Sequence, residues 1–140
     1  MLEIFDKFNV MLSNLKKSFS VIGVSETWLN DHTFDQVNIP GYKFVSNHRS
    51  TKSGGGTGLY LQDNFDYKLC SDCKYSSPDV IEYLFAEMNI PNGINIIVGT
   101  IYRPPNQNVL LFLQKFNEII FPFASGRFVN LPSAAGKFNR

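Results

Sequence analysis

Apolar and polar positions recur along this chain with two different periods, and the switches between them mark its elements. Over residues 3–18, Ile4, Phe5, Phe8, Met11, Leu12 and Leu15 recur at helical spacing. Lys16 and Lys17 fall in the last turn, where cations complement the helix dipole, and this helix is expected to pack on one face of a sheet. Residues 20–25 then form a compact run with Val21, Ile22 and Val24, the pattern of a buried strand. Residues 30–43 read as loop, with Asn30-Asp31 and Pro40-Gly41 as turn signals. A short strand is expected over 44–46, another over 57–62 after Gly54-Gly55-Gly56, and a third over 65–69.

The later half repeats this change of period. From residue 81 to 90, Tyr83, Phe85, Glu87 and Asn89 alternate with Leu84, Ala86, Met88 and Ile90. Pro91-Asn92-Gly93 predicts a hairpin turn. The apolar run over 94–102 predicts a central strand covered on both faces. Residues 107–120 return to helical spacing through Val109, Leu110, Leu113, Phe116, Ile119 and Ile120. After Pro122 the pattern fades, so one domain over 1–122 and a loosely ordered tail over 123–140 are expected. The implied fold class is α/β.

Composition narrows the function classes. A chain of 140 residues is one domain at most, and its thirteen Phe can fill a sizeable core. The net charge of +1 offers no global attraction for nucleic acid, so any basic surface must be local. No apolar run approaches the ~18–20 residues of a membrane span, and the early-acidic, amphipathic N-terminus argues against a signal peptide. Cys70 and Cys73 make a single Cys-Ser-Asp-Cys pair, which does not complete a four-ligand zinc site. Both are expected as reduced thiols in a nuclear or cytoplasmic, non-secreted protein. His32 and His48 are placed in exposed loops, without metal-ligand spacing.

Three separated features could share one edge. Glu26 ends the first strand, Tyr102 and Arg103 end another before Pro104-Pro105, and Arg49 and Lys52 precede the triple glycine. A carboxylate at a strand end can hold a hard cation such as Mg²⁺; it can equally cap a turn or pair with Arg49 or Arg103. A metal-bound carboxylate, a phenol and a guanidinium together suit a phosphodiester, because the metal polarises a phosphoryl oxygen and the donors meet developing charge. The glycines lack the Gly-Lys-Ser/Thr of a P-loop. Tyr102 could instead be a half-buried strand residue, and Arg103 a solvated one.

Taken together, four blocks resemble the endonuclease domain of non-LTR (LINE-type) retrotransposons, within the endonuclease/exonuclease/phosphatase superfamily. They are Ser25-Glu26-Thr27-Trp28-Leu29, Arg49 with Gly54-Gly55-Gly56-Thr57-Gly58-Leu59-Tyr60, Tyr83-Leu84-Phe85-Ala86-Glu87, and Ile101-Tyr102-Arg103-Pro104-Pro105-Asn106. The resemblance covers about residues 1–121. It implies a two-sheet α/β sandwich with flanking helices and a Mg²⁺-dependent DNA endonuclease whose nick primes an associated reverse-transcriptase region. It further implies that Glu26 binds the metal, that Tyr102 contacts the scissile phosphate, and that Arg49, Lys52 and Arg103 face DNA. A monomer is expected.

The chain also departs from the family. It begins at the helix, without the preceding Asn-bearing strand. The family's Gly-Asp-Phe-Asn block is matched by Gly136-Lys137-Phe138-Asn139, with Lys137 in the place of the Asp and Asn139 in that of the catalytic Asn. The family's distal Asp and His have no counterpart. The expectation is a truncated or degenerate copy, inactive as a nuclease. The alternatives are a non-catalytic nucleic-acid-binding or interaction remnant and a phosphatase or phosphodiesterase relative acting on small molecules.

Overall fold

The computed structural model describes residues 2–50, 53–69 and 72–125. Their order is α1 (Leu2–Asn14), β1 (Val21–Ser25), β2 (Tyr42–Asn47), β3 (Thr57–Gln62), β4 (Asp66–Lys68), β5 (Lys74–Ser77), β6 (Ile81–Asn89), β7 (Ile96–Tyr102) and α2 (Val109–Ala124). The fold is mixed α/β, with two antiparallel sheets and two helices among the described residues. In the first sheet β3 lies between β1 and β2, with Leu59 opposite Gly23 on one side and Val45 on the other. In the second, β7 pairs along residues 82–88 of β6, so β4 and β5 share the opposite edge.

Strand periodicity explains why the sheets close on each other. Successive side chains point to opposite faces, so Val45, Leu59 and Leu61 of the first sheet meet Leu84, Ala86 and Met88 of the second in one buried cluster. The outer faces are covered differently. Tyr60 is fully buried, lies 4.4 Å from the Phe44 ring, and donates its hydroxyl to the Val37 carbonyl at 2.6 Å. The turns over 31–36 and the buried Val37 and Ile39 therefore form a lid on the first sheet. On the second sheet, Phe85 packs against Phe123 of α2 with ring centroids 4.8 Å apart.

The helices differ from their sequence expectations for local reasons. α1 stops at Asn14: the Leu15 amide is shared between the Met11 and Leu12 carbonyls, and Lys16 leaves in the left-handed region at φ 48. Phe5 and Phe8 face the end of β1 across a cavity instead of closing on the sheet. α2 starts where Asn108 accepts from the Leu110 and Leu111 amides at 2.9 and 3.1 Å, an N-cap. It continues through Pro122 to Ala124, closed by the Ser125 amide on the Phe121 carbonyl. Phe123, assigned by periodicity to the tail, is thus a helix residue.

The clearest correction concerns the apolar run over 94–102. It forms β7 but is neither central nor covered on both faces. Among the described residues it pairs only with β6, and Ile96 and Ile97 are 40% and 42% exposed. Apolar content signals a preference for cover, and the described residues supply that cover on one side only. The turn before it is as expected: the Gly93 amide donates to the Ile90 carbonyl at 3.0 Å with Asn92 at φ 57, a Pro-Asn type II turn. Cys73 is also corrected: it is disulfide-bonded and buried, not a reduced thiol. Cys70 lies outside the described residues, as do Lys52, Lys137, Asn139 and the rest of 126–140. Among the described residues no helix is long and apolar enough to cross a membrane.

Candidate functional site

Glu26 and Tyr102 meet at one end of the two packed sheets. Glu26 follows the last residue of β1, Tyr102 is the last residue of β7, and the Tyr102 hydroxyl donates to Glu26 Oε1 at 2.6 Å. Two strands from different sheets thereby bring together residues 76 positions apart. The sheets are in close contact here: an added Cβ on Gly23 would lie 3.5 Å from Thr100 Cβ, and Thr100 Oγ1 donates to the Val24 carbonyl. The Glu26 carboxylate is in an exposed residue and free to take a further partner. Partial burial and the bond to Glu26 push the Tyr102 hydroxyl up to about 12, so at neutral pH it is a hydrogen-bond donor.

Beneath this pair lies a polar interior that sequence reading missed. Glu82 stands opposite Tyr102 in the β6–β7 register, on the inward face, and is fully buried. A buried carboxylate needs partners, and among the described residues it has three. The Arg49 guanidinium donates through Nε to Oε1, the Gly56 amide donates to Oε2 at 2.6 Å, and Ser76 Oγ donates to Oε1 at 3.3 Å. Arg49 is thus turned inward, its side chain 8% exposed, rather than toward solvent. Asn47 continues the interior, donating from Nδ2 to the carbonyls of Tyr75 and Tyr83 at 2.8 and 2.9 Å and so tying β2 to the second sheet.

The triple glycine belongs to this interior. Gly54, Gly55 and Gly56 all have positive φ. A Cβ on Gly55 would collide with the Arg49 guanidinium, and one on Gly56 would meet Thr27 Oγ1 at 2.5 Å. The loop's carbonyls accept from the Thr27 and Trp28 amides, at 3.4 Å from Gly56 and 2.9 Å from Gly55. These bonds hold the segment after β1, where Glu26 and Trp28 are both left-handed, at φ 54 and 55. Neither residue is a glycine or an asparagine, so the conformation stores roughly 1–3 kcal/mol at each. The glycines act here as a clamp on the Glu26 segment.

The remaining sequence candidates are dispersed. Arg103 is exposed, next to Tyr102, and among the described residues it pairs with no carboxylate. His48 is not an exposed loop residue. It packs at the end of β2 with Nδ1 2.7 Å from Ser46 Oγ, Nε2 2.9 Å from Asp31 Oδ1, and Phe34 stacked at 5.1 Å. Asp31 and Phe34 come from the 31–36 turns folding back over β2. For a metal, Glu26 is an exposed carboxylate at this edge. No group of three or more His, Cys, Asp or Glu side chains with metal-binding placement occurs among the described residues. Mg²⁺ does not require such a cage, since it keeps several waters and uses one or two carboxylates with substrate phosphate. An outward carboxylate beside a phenol donor fits that mode.

Comparison with family models, with curated proteins and with solved structures gives no match to this chain.

Proposed function

We propose that the Glu26–Tyr102 edge is a phosphodiester-binding site of the LINE-type endonuclease kind, binding DNA without cutting it in this chain. The observation that carries the reading is the 2.6 Å contact between Glu26 and Tyr102 at the ends of two strands from opposite sheets. Glu26 would hold Mg²⁺ together with a phosphate oxygen and water. When bound, the ion would polarise the phosphoryl group. Tyr102, protonated through the neutral range, would turn its single O–H from Glu26 to the phosphate once Glu26 holds the ion, and exposed Arg103 would add a charge-assisted contact. Arg49 serves as a positioning residue: its bond to Glu82 holds the glycine loop, and the loop holds the Glu26 segment.

Turnover requires a positioned base for the attacking water. Glu82, opposite Tyr102, is engaged with Arg49 and Gly56, and His48 with Ser46 and Asp31. The resemblance would put Asn139 in a catalytic role and leaves Lys137 where a carboxylate is needed. Plasmid nicking with and without Mg²⁺, beside Glu26→Ala, tests the reading. The expected result is no nicking above background, with DNA retained at low salt and released steeply as salt rises. Metal-dependent nicking abolished by Glu26→Ala would establish an active nuclease. Absence of any DNA retention would remove the phosphodiester reading altogether.

A further inference from the structure

Trp28 is the chain's one tryptophan, and its placement is unusual for an apolar residue. It is 50% exposed between Thr27 and Leu29, which are 3% and 4% exposed. The backbone holds it outward at φ 55, at a conformational cost a bulky residue rarely bears without return. Its amide is fixed to the Gly55 carbonyl at 2.9 Å, and its six-membered ring lies over Gly54, where an added Cβ would meet Cζ2 at 3.7 Å. The ring is therefore backed by Gly54, whose φ of 85 favours glycine. Two residues earlier stands Glu26. A cavity of about 560 Å³, with Phe5 and Phe8 on its far wall, opens along the same Val24–Trp28 segment.

We propose that Trp28 is a stacking platform for a nucleobase, so that the ligand of this edge is an unpaired stretch of nucleic acid rather than a small phosphodiester. The proposal rests on the phosphodiester reading of the Glu26–Tyr102 pair. A rigidly backed indole next to a phosphate site matches the plan of single-strand-binding surfaces, where aromatic faces take successive bases and charged or polar groups take the backbone. The base must be unpaired because in a duplex its faces are already occupied by neighbouring bases. The adjoining cavity has the volume and apolar walls of a small-ligand pocket, and Phe5 and Phe8 give the splayed base a second apolar surface.

Because Trp28 is the single tryptophan, its emission reports this one ring. The full chain is titrated with a short single-stranded oligodeoxynucleotide, the same strand as a blunt duplex, and an abasic strand of equal length. Binding is read separately from the anisotropy of a fluorescein on each strand. The expected result is quenching of Trp28 by the single strand, no quenching by duplex or abasic strand, and roughly tenfold weaker binding of the abasic strand. Trp28→Ala should weaken single-strand binding by about tenfold, and Trp28→Phe should restore most of it. Single-strand binding with unchanged emission, or equal affinity for abasic and base-bearing strands, overturns the stacking role while leaving the phosphodiester reading intact. No anisotropy change with any strand overturns both.

Discussion

Arg49 and Glu82, 33 residues apart, form an ion pair between the two packed sheets, with side chains 8% and 0% exposed. Removing one member of a buried pair leaves an uncompensated charge, which costs about 3–5 kcal/mol. Glu82→Ala should lower stability by about that amount in urea unfolding, and Arg49→Ala by a similar amount. The double variant should cost clearly less than the sum, because the two residues share one interaction. Additive losses would mean that the pair is not the source.

Tyr102 gives a prediction in pH. Its hydroxyl is raised above the ordinary value of 10, to about 12, chiefly by burial and then by the hydrogen bond to Glu26. A raised folded-state value favours the protonated form, so this contribution to stability is complete below pH 10 and lost as pH rises toward 12. Burial raises Tyr60, Tyr67 and Tyr83 in the same direction. The part of the phenolate absorbance that belongs to these four tyrosines should therefore lag that of free tyrosine and emerge together with unfolding. In Glu26→Ala, one tyrosine should titrate earlier; an unchanged curve would refute the assigned bond.

Gly56→Ala should destabilise by more than the roughly 1 kcal/mol of an ordinary glycine replacement. The new Cβ would have to be accommodated at a φ of 87 and against Thr27 Oγ1. The same displacement should reach Glu26 through the Thr27–Gly56 hydrogen bond. Thermal unfolding checks the first effect, and loss of DNA retention at a temperature where the variant is still folded checks the second.

Among the described residues β7 leaves one edge unpaired, and this predicts behaviour in solution. Flat apolar edges invite pairing between chains, and Ile97 stands on the outward face opposite Glu87. Ile97→Lys should raise the soluble fraction and suppress concentration-dependent association in light scattering, with little change in unfolding midpoint. The new ammonium also faces Glu87 across the strands, a favourable cross-strand pair.

Parts of the site were legible before the fold was known. Glu26 and Tyr102 could be picked out because each follows an apolar strand, and strand ends carry function on a rigid scaffold. Glu82 was legible in principle as well. Extending the alternation of β6 back by two residues puts it on the face of Leu84, Ala86 and Met88. A charge on an apolar face demands a buried partner. Which cation would serve could not be read, since Arg49, Lys52 and Arg103 were equally available.

Local sequence determined what local physics controls. The two-residue alternation produced β6, the Pro-Asn-Gly turn joined it to β7, and the Asn108 cap began α2, because each depends on a few neighbouring dihedrals and hydrogen bonds. Tertiary structure alone decided that Arg49 turns inward to Glu82, that the three glycines clamp the Glu26 segment, that Trp28 stands outward, and that β7 pairs with β6 alone among the described residues. Each of these outcomes depends on which groups from distant parts of the chain arrive at the same place. A side chain's periodicity says which face it occupies; only the packing of the two sheets says what meets it there.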